Sequence, residues 1–404
     1  MAAGQSVVPD VVVAPATIDE LSAAVGVARR LETEIIVIGA RTGARSARQS
    51  PGAKRAAART IAIVTTRMAE APAFDVVSGT VTAPAGASLA SVEAAVAEAG
   101  LALPLLLDGP GSATLGGAVA ADSYGVGAMG REPLRAHVAG LRGHTPAGDG
   151  FALGDPLIDA GLPDLMSVAL EGIGAGVVLS EVTLRLRSGK RDGFAVAHYP
   201  SLEAALGLSR LIGTSGQDDA AVELLNAEAV AHLGSAFSAQ PITAVVAWRA
   251  RPYVATADEI IAASISASGG TQVMSAGSAE QTALMARRLF SALATLPRHA
   301  SGARDIEVAL APNRAAEVLS EIDALAASAG LSIPWRLSAR DGFIAVAAGE
   351  GFGDVAAVLE HAGGRSIRQP SGVARGAVPT ETTSLRQRLS GSGNLVPPSL
   401  TMAP

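Results

Sequence analysis

Cysteine is absent from all 404 residues, which excludes disulfides, cysteine-ligated iron–sulfur clusters, thiol nucleophiles and a cysteinyl-linked cofactor in this chain. An iron–sulfur centre working with the protein has to sit on a partner. Lysine is limited to Lys54 and Lys190, so the basic charge is almost all arginine, as a biased genomic base composition produces. A net charge of −6 and a pI near 5.6 give the whole chain no electrostatic attraction to nucleic acid or an anionic membrane. No stretch reaches about 18 uninterrupted apolar residues. The start, MAAGQSVVPDVVVAP, lacks the basic opening and sustained apolar run of a signal peptide. The expected location is the cytoplasm, or the inner-membrane surface through partners.

What is abundant is small and apolar. Hydrophobic residues make up 49% of the chain, and its length exceeds one typical core, so at least two domains are expected. Leu101 to Gly130 reads LALPLLLDGPGSATLGGAVAADSYGVGAMG, an apolar run that drops into Gly, Ser and Thr. Gly116 and Gly117 after Thr114 let main chain approach another group closely, which fits a ligand loop. A tight turn in an Ala/Gly-rich protein fits the same residues.

From the start, Thr17 and Glu20 form a capping-box pattern, and Ile18, Leu21, Val25 and Ala28 repeat at helical spacing. Glu34 to Ile38 is a β-branched strand entering Gly39-Ala40-Arg41-Thr42-Gly43, a loop able to offer amides to a phosphate, with Arg41 or Arg45 adding charge, or a plain surface loop. Ile61 to Thr65 reads as another strand, FDVVSGTVTAPAG as a hairpin turning at Ser78-Gly79, and Ser88 as the cap of a helix that Gly100 stops. Val138 to Leu141 and Val177 to Leu186 are further strands. A polar break at Ser188–Asp192 suits a domain boundary. Beyond it, helices and strands alternate in a way that implies an antiparallel sheet covered by helices. The tail after Gly372 is rich in Gly, Ser, Pro and Thr and is expected to be irregular.

Four places taken in order, PATIDEL, the loop from Gly39 to Ser46, GPGSATLGGAVAADSYG and LEGIGAGVVLSEVTLRL, resemble the FAD-binding domain of the vanillyl-alcohol oxidase (PCMH) type. The resemblance is strongest to the FAD-binding subunit of bacterial glycolate oxidase and to D-lactate dehydrogenase-like flavoproteins. It extends through VELLNAEAV, the MARRLF helix and SLRQRLSGSGNLVPP near the end. It implies an α+β fold: a two-subdomain FAD-binding domain over 1–188, an α+β domain with a ferredoxin-like antiparallel sheet over 189–370, and a tail over 371–404. It also implies non-covalent FAD. Gly39, Ala40, Arg41, Thr42 and Gly43 would form the first diphosphate loop. Ser112, Thr114, Leu115, Gly116 and Gly117 would form the second, and Asp122, Ser123 and Gly125 would run towards the isoalloxazine. Gly174, Val177 and Val178 would pack near the flavin or its adenine. The chain departs from the family where Ala40 and Arg41 replace consecutive glycines, where Arg135-Ala136 replaces an Arg-Asp pair, and where Val177 replaces a glycine.

Oxidising a 2-hydroxy acid takes a base, a cation for the carboxylate and hydride transfer to the flavin. Catalytic relatives place histidines in a segment resembling Arg340–Ile344, which has none here; the six histidines are scattered and read as structural. Arg340 and Asp341 are offered as anchor and base, against the simpler account of an Arg-Asp-Gly turn. The expectation is an FAD-binding accessory subunit of a glycolate oxidase-like complex. Its partners would be a catalytic flavoprotein and an iron–sulfur subunit. The alternatives are a flavin-free scaffolding subunit of the same fold and a stand-alone flavin oxidase.

Overall fold

A computed structural model describes residues 9–42, 59–107, 111–121, 123–127, 130–145, 147–154, 166, 169–170, 177–188, 192–215, 220–232, 240–249, 257–275, 304–348, 352–362 and 365–368. Gly43, Asp122 and Gly174, together with the MARRLF segment and the tail after residue 370, lie outside the described residues.

The chain begins with β1 (Val11–Val13), α1 (Ile18–Arg30), β2 (Glu34–Ile38) and β3 (Thr60–Val64), a parallel sheet in the order β1-β3-β2. The expected capping box forms: Thr17 Oγ1 accepts from Glu20 N at 3.1 Å and a Glu20 carboxylate oxygen accepts from Ala16 N at 2.7 Å. Leu21, Val25 and Ala28 on the apolar stripe of α1 are fully buried against Ile61 and Ile63 of β3.

Twelve elements complete the next layer: β4 (Ala73–Asp75), β5 (Thr80–Pro84), α2 (Leu89–Glu98), β6 (Leu101–Ala102), β7 (Leu106–Leu107), α3 (Leu115–Ala120), β8 (Tyr124–Gly127), β9 (Gly130–Pro133), β10 (Val138–His144), β11 (Gly150–Leu153), β12 (Val178–Arg185) and β13 (Arg187–Ser188). Five of the strands form an antiparallel sheet in the order β11-β10-β12-β5-β4. Its β4–β5 hairpin differs from the expected tight Ser78-Gly79 turn. Asp75 Oδ1 accepts from Val77 N and Ser78 N, and this Asx turn draws Val76 and Val77 out of the strand, where they are 80% and 100% exposed.

At Asp192 the chain leaves these sheets for a separate one. The elements are β14 (Asp192–Tyr199), α4 (Leu202–Thr214), β15 (Ala220–Asn226), α5 (Ala227–His232), β16 (Ile242–Arg249), α6 (Ala257–Ala267), β17 (Thr271–Ser275), β18 (Arg304–Ala309), α7 (Pro312–Ala329), β19 (Trp335–Ser338), β20 (Phe343–Ala348), α8 (Phe352–His361) and β21 (Arg365–Arg368). Eight strands run β17-β14-β16-β15-β19-β20-β18-β21, each antiparallel to its neighbours. That order is a duplication. In β14 to β17 and again in β18 to β21 the strands lie fourth, first, third, second, the ferredoxin-like βαββαβ arrangement, and the two units join through their second strands, β15 and β19. The fold is thus α+β, with the ferredoxin-like sheet present twice.

One face of this sheet buries Ala195, Val222, Leu224, Val246, Leu337 and Ile344 against α4, α6, α7 and α8. Strand alternation sends the neighbouring residues to the opposite face. That face carries a charge pair at the seam: Arg336 Nε lies 3.0 Å from a Glu223 carboxylate oxygen, with the side chains 3% and 0% exposed. Register sets Glu223 opposite Ser338 and Arg336 opposite Leu225, so the pair runs diagonally across the joint. It is a contact ion pair without the alignment of a hydrogen bond, and both groups have further partners. Asn226 adds a second tie, with Oδ1 accepting from Ala229 N and Trp335 N, both at 3.0 Å, and Nδ2 donating to Ile333 O at 2.9 Å.

Candidate functional site

The two glycine loops expected to face a diphosphate are neighbours. β2 ends at Ile38, and Gly39 follows with no room for a side chain: a Cβ there would overlap Thr114 Oγ1. Thr114 is 3% exposed and is the N-cap of α3, its Oγ1 accepting from Gly117 N at 3.2 Å. One threonine hydroxyl therefore touches both loops. Gly116 packs equally closely, since a Cβ on it would lie 2.7 Å from the Ala85 Cβ and 2.9 Å from the Ala85 carbonyl oxygen. These glycines provide close approach of backbone to backbone.

Close approach commits three amides of the second loop. Leu115 N donates to Ala87 O and Gly116 N to Ala85 O, both at 2.8 Å, while Gly117 N is held by Thr114. Each amide has one proton, so all three are committed inside the protein. In the first loop the amides of Ala40 and Arg41 meet no protein acceptor among the described residues. Arg41 adopts φ 55°, one of two non-glycine residues with positive φ among the described residues, and its side chain is exposed. The backbone keeps the left-handed turn that glycine favours, at a cost of about 1 kcal/mol.

The other expected site residues are placed as follows. Ser112 is exposed in the turn before Thr114, which pairs with Ser88 in an isolated bridge, and Leu89 N donates to Ala113 O at 2.8 Å. Ser123 follows α3 and its carbonyl accepts from Leu134 N at 2.7 Å. Gly125 on β8 pairs with Leu107 and Glu132. Val177 and Val178 are both buried, Val177 in the core under α2 and α3, Val178 against α1. They join the two subdomain cores. Thr42 has an interaction partner of its own.

Sequence reading missed the segment between β5 and α2. A Cβ on Gly86 would collide with the Thr65 carbonyl oxygen, and Ala85 N donates to Ser180 O at 2.8 Å, so Pro84–Ser88 is the shelf on which α3 rests. The available signal was the PAGAS run, a lone glycine between a strand and a helix cap.

The remaining candidates resolve into structure. Asp341 Oδ1 accepts from Phe343 N at 3.0 Å, Arg340 donates to Ala220 O at 3.0 Å, and Gly342 has φ 69°, so these residues build the β19–β20 turn. Burial holds His144 and His198 below the ordinary imidazole range. Among the described residues no three His, Cys, Asp or Glu side chains converge in a metal-binding arrangement. None of the helices described is long and apolar enough to cross a membrane.

The adjoining loops at Gly39 and Thr114, with the amides of Ala40 and Arg41 lacking a protein acceptor among the described residues, leave main chain open to a diphosphate. Comparison with known proteins agrees. Residues 9–153 match a family model described as an FAD binding domain. Two solved structures of an alkyldihydroxyacetonephosphate synthase, in different crystal forms, share the fold. One is 13% identical with a TM-score of 0.71, the other 14% identical with a TM-score of 0.66. Each alignment covers 94% of this chain and 74% of the other. No curated protein matches the sequence. Residues 9–153 thus resemble an FAD binding domain, which supports binding of FAD by this chain.

Proposed function

We propose that the protein is the FAD-binding accessory subunit of a flavin-dependent oxidoreductase that oxidises a 2-hydroxy acid and passes electrons to an iron–sulfur partner. Bound FAD would supply the electron-accepting chemistry. This chain would bind the cofactor and present it.

The observation that carries the reading is the state of Arg340 and Asp341. A stand-alone oxidase of this kind needs a base and a carboxylate anchor, and the two residues offered for those roles are engaged in a turn. With no cysteine in the chain, an iron–sulfur acceptor working with it would be on a second polypeptide.

Native co-purification tests it. The expected result is a complex containing a second flavoprotein and a cysteine-rich iron–sulfur protein, with glycolate or D-lactate oxidised by the complex and not by the isolated chain. Turnover of either acid by the isolated chain overturns the proposal and favours the stand-alone oxidase.

A further inference from the structure

The three-stranded parallel sheet ends in β2, and no described strand pairs with its outer edge. Glu34 N donates to Arg59 O, and the register runs unbroken from Glu34↔Thr60 to Ile38↔Val64, so the main-chain N–H and C=O groups of Ile35 and Val37 point away from β3. Folded proteins blunt such edges with charge, proline, bulges or shortness. Other edges of this molecule follow that rule: β17 shifts register against β14, β21 carries Arg365 and Arg368, and β1 has three residues. β2 is five residues, EIIVI, with no proline, no register shift and a single charge at its first position. Val37 is 41% exposed.

The two ends of this strand carry opposite charge. Glu32 and Glu34 stand at its start and Arg41 three residues past its end; all three are exposed, and none makes an ion pair among the described residues. Glu32 at φ 48° and Arg41 at φ 55° are the two non-glycine residues with positive φ among the described residues, so each holds a charged side chain where glycine would be relaxed.

We propose that the open edge of β2 is the homodimer interface of this protein, pairing antiparallel with β2 of a second copy. Ile36 lies on the twofold axis. Ile35 and Val37 of each copy then exchange main-chain hydrogen bonds with Val37 and Ile35 of the other, and the two sheets become one of six strands. The acidic start of each strand comes beside the basic end of its partner, whereas a parallel copy would set like charges together. Pairing β2 with β1 of the next copy would leave an open, growing chain of molecules. The inference is independent of the cofactor.

Light scattering of the full-length protein over a concentration series should give twice the chain mass of 40.2 kDa. Val37→Lys puts a lysine on the joint, and Arg41→Glu puts like charges at both of its ends. Each should raise the dimer dissociation constant at least about tenfold and keep the circular dichroism of the parent. Combining Glu32→Arg with Arg41→Glu restores opposite charges and should recover most of the loss caused by Arg41→Glu. Because the chain has no cysteine, Ile36→Cys supplies a single thiol. Across the twofold its two copies lie about 4.5 Å apart at Cα, within disulfide reach. Oxidation at dilution should give one cross-linked dimer, and Val76→Cys, at the exposed β4–β5 turn, should give none. A monomer at every concentration overturns the proposal and leaves the edge to a different partner. A mass that keeps growing overturns it in favour of β2 pairing with β1. A dimer that Val37→Lys and Arg41→Glu leave intact, or that Ile36→Cys fails to cross-link, overturns it by placing the joint elsewhere.

Discussion

The Glu223–Arg336 pair gives the sharpest energetic test of how the C-terminal sheet is joined. The two groups are 3.0 Å apart at 0% and 3% exposure, on the seam where the two βαββαβ units meet through three registered residue pairs. Burying both charges costs several kcal/mol each, which their attraction offsets only in part, so deleting one partner takes away a buried charge's nearest counter-charge and should cost about 3–5 kcal/mol. Replacing both with apolar residues of similar volume removes the desolvation cost together with the attraction. Glu223→Leu and Arg336→Met should therefore each be severely destabilising alone, while the double variant should lie within about 1 kcal/mol of the parent or above it. The assay is built into the protein, because its two tryptophans, Trp248 and Trp335, both lie on this sheet, 6% and 1% exposed. Urea unfolding followed by their fluorescence reports on the sheet without interference from the FAD binding domain. Single variants that each lose less than about 1 kcal/mol, with a double variant equal to their sum, would refute the reasoning.

Two further outcomes follow from the packing. Gly116→Val forces side-chain atoms into the Ala85 backbone, so it should destabilise by at least about 1–3 kcal/mol and lower the melting temperature by circular dichroism, with or without flavin. Burial pushes the Asp323 carboxyl above its ordinary value of 3.8; the hydrogen bond from Trp335 Nε1 at 2.7 Å pulls it back, and Glu228 adds to the rise. A raised folded-state value means the group contributes stability below pH 3.8 and loses it as pH rises through the folded value. Asp323→Asn keeps an acceptor for the indole and cannot ionise. Its urea midpoint relative to the parent should rise between pH 4 and pH 7, and a difference independent of pH would contradict the assignment.

The FAD binding domain was legible where local chemistry speaks. Thr17 with Glu20 and Ser88 with Leu89, Val92 and Val96 are capped amphipathic patterns, and both helices form as read. Gly116 and Gly117 read as backbone pressed against a ligand; the close approach the structure shows is to Ala85 and Thr114. The sequence could not say where the amides go, because Ala85 and Ala87 accept through backbone oxygens that no side chain advertises. Arg41 was legible as a charge on the loop and as a departure from glycine; that its backbone adopts φ 55° is a property of the folded loop. In the C-terminal domain, Ala220–Asn226 is buried on both faces, so it has no alternation to read, and its Glu223 suggests a helix or a surface. The duplication escaped notice because the shared feature is strand order, which leaves no repeat in the residues.

The most direct measurement is the flavin content of the purified, never-denatured protein. The account predicts that acid or heat denaturation releases stoichiometric FAD, leaving no flavin on the polypeptide, and that the stripped protein takes FAD up again. Colourless protein that FAD cannot reconstitute would contradict it.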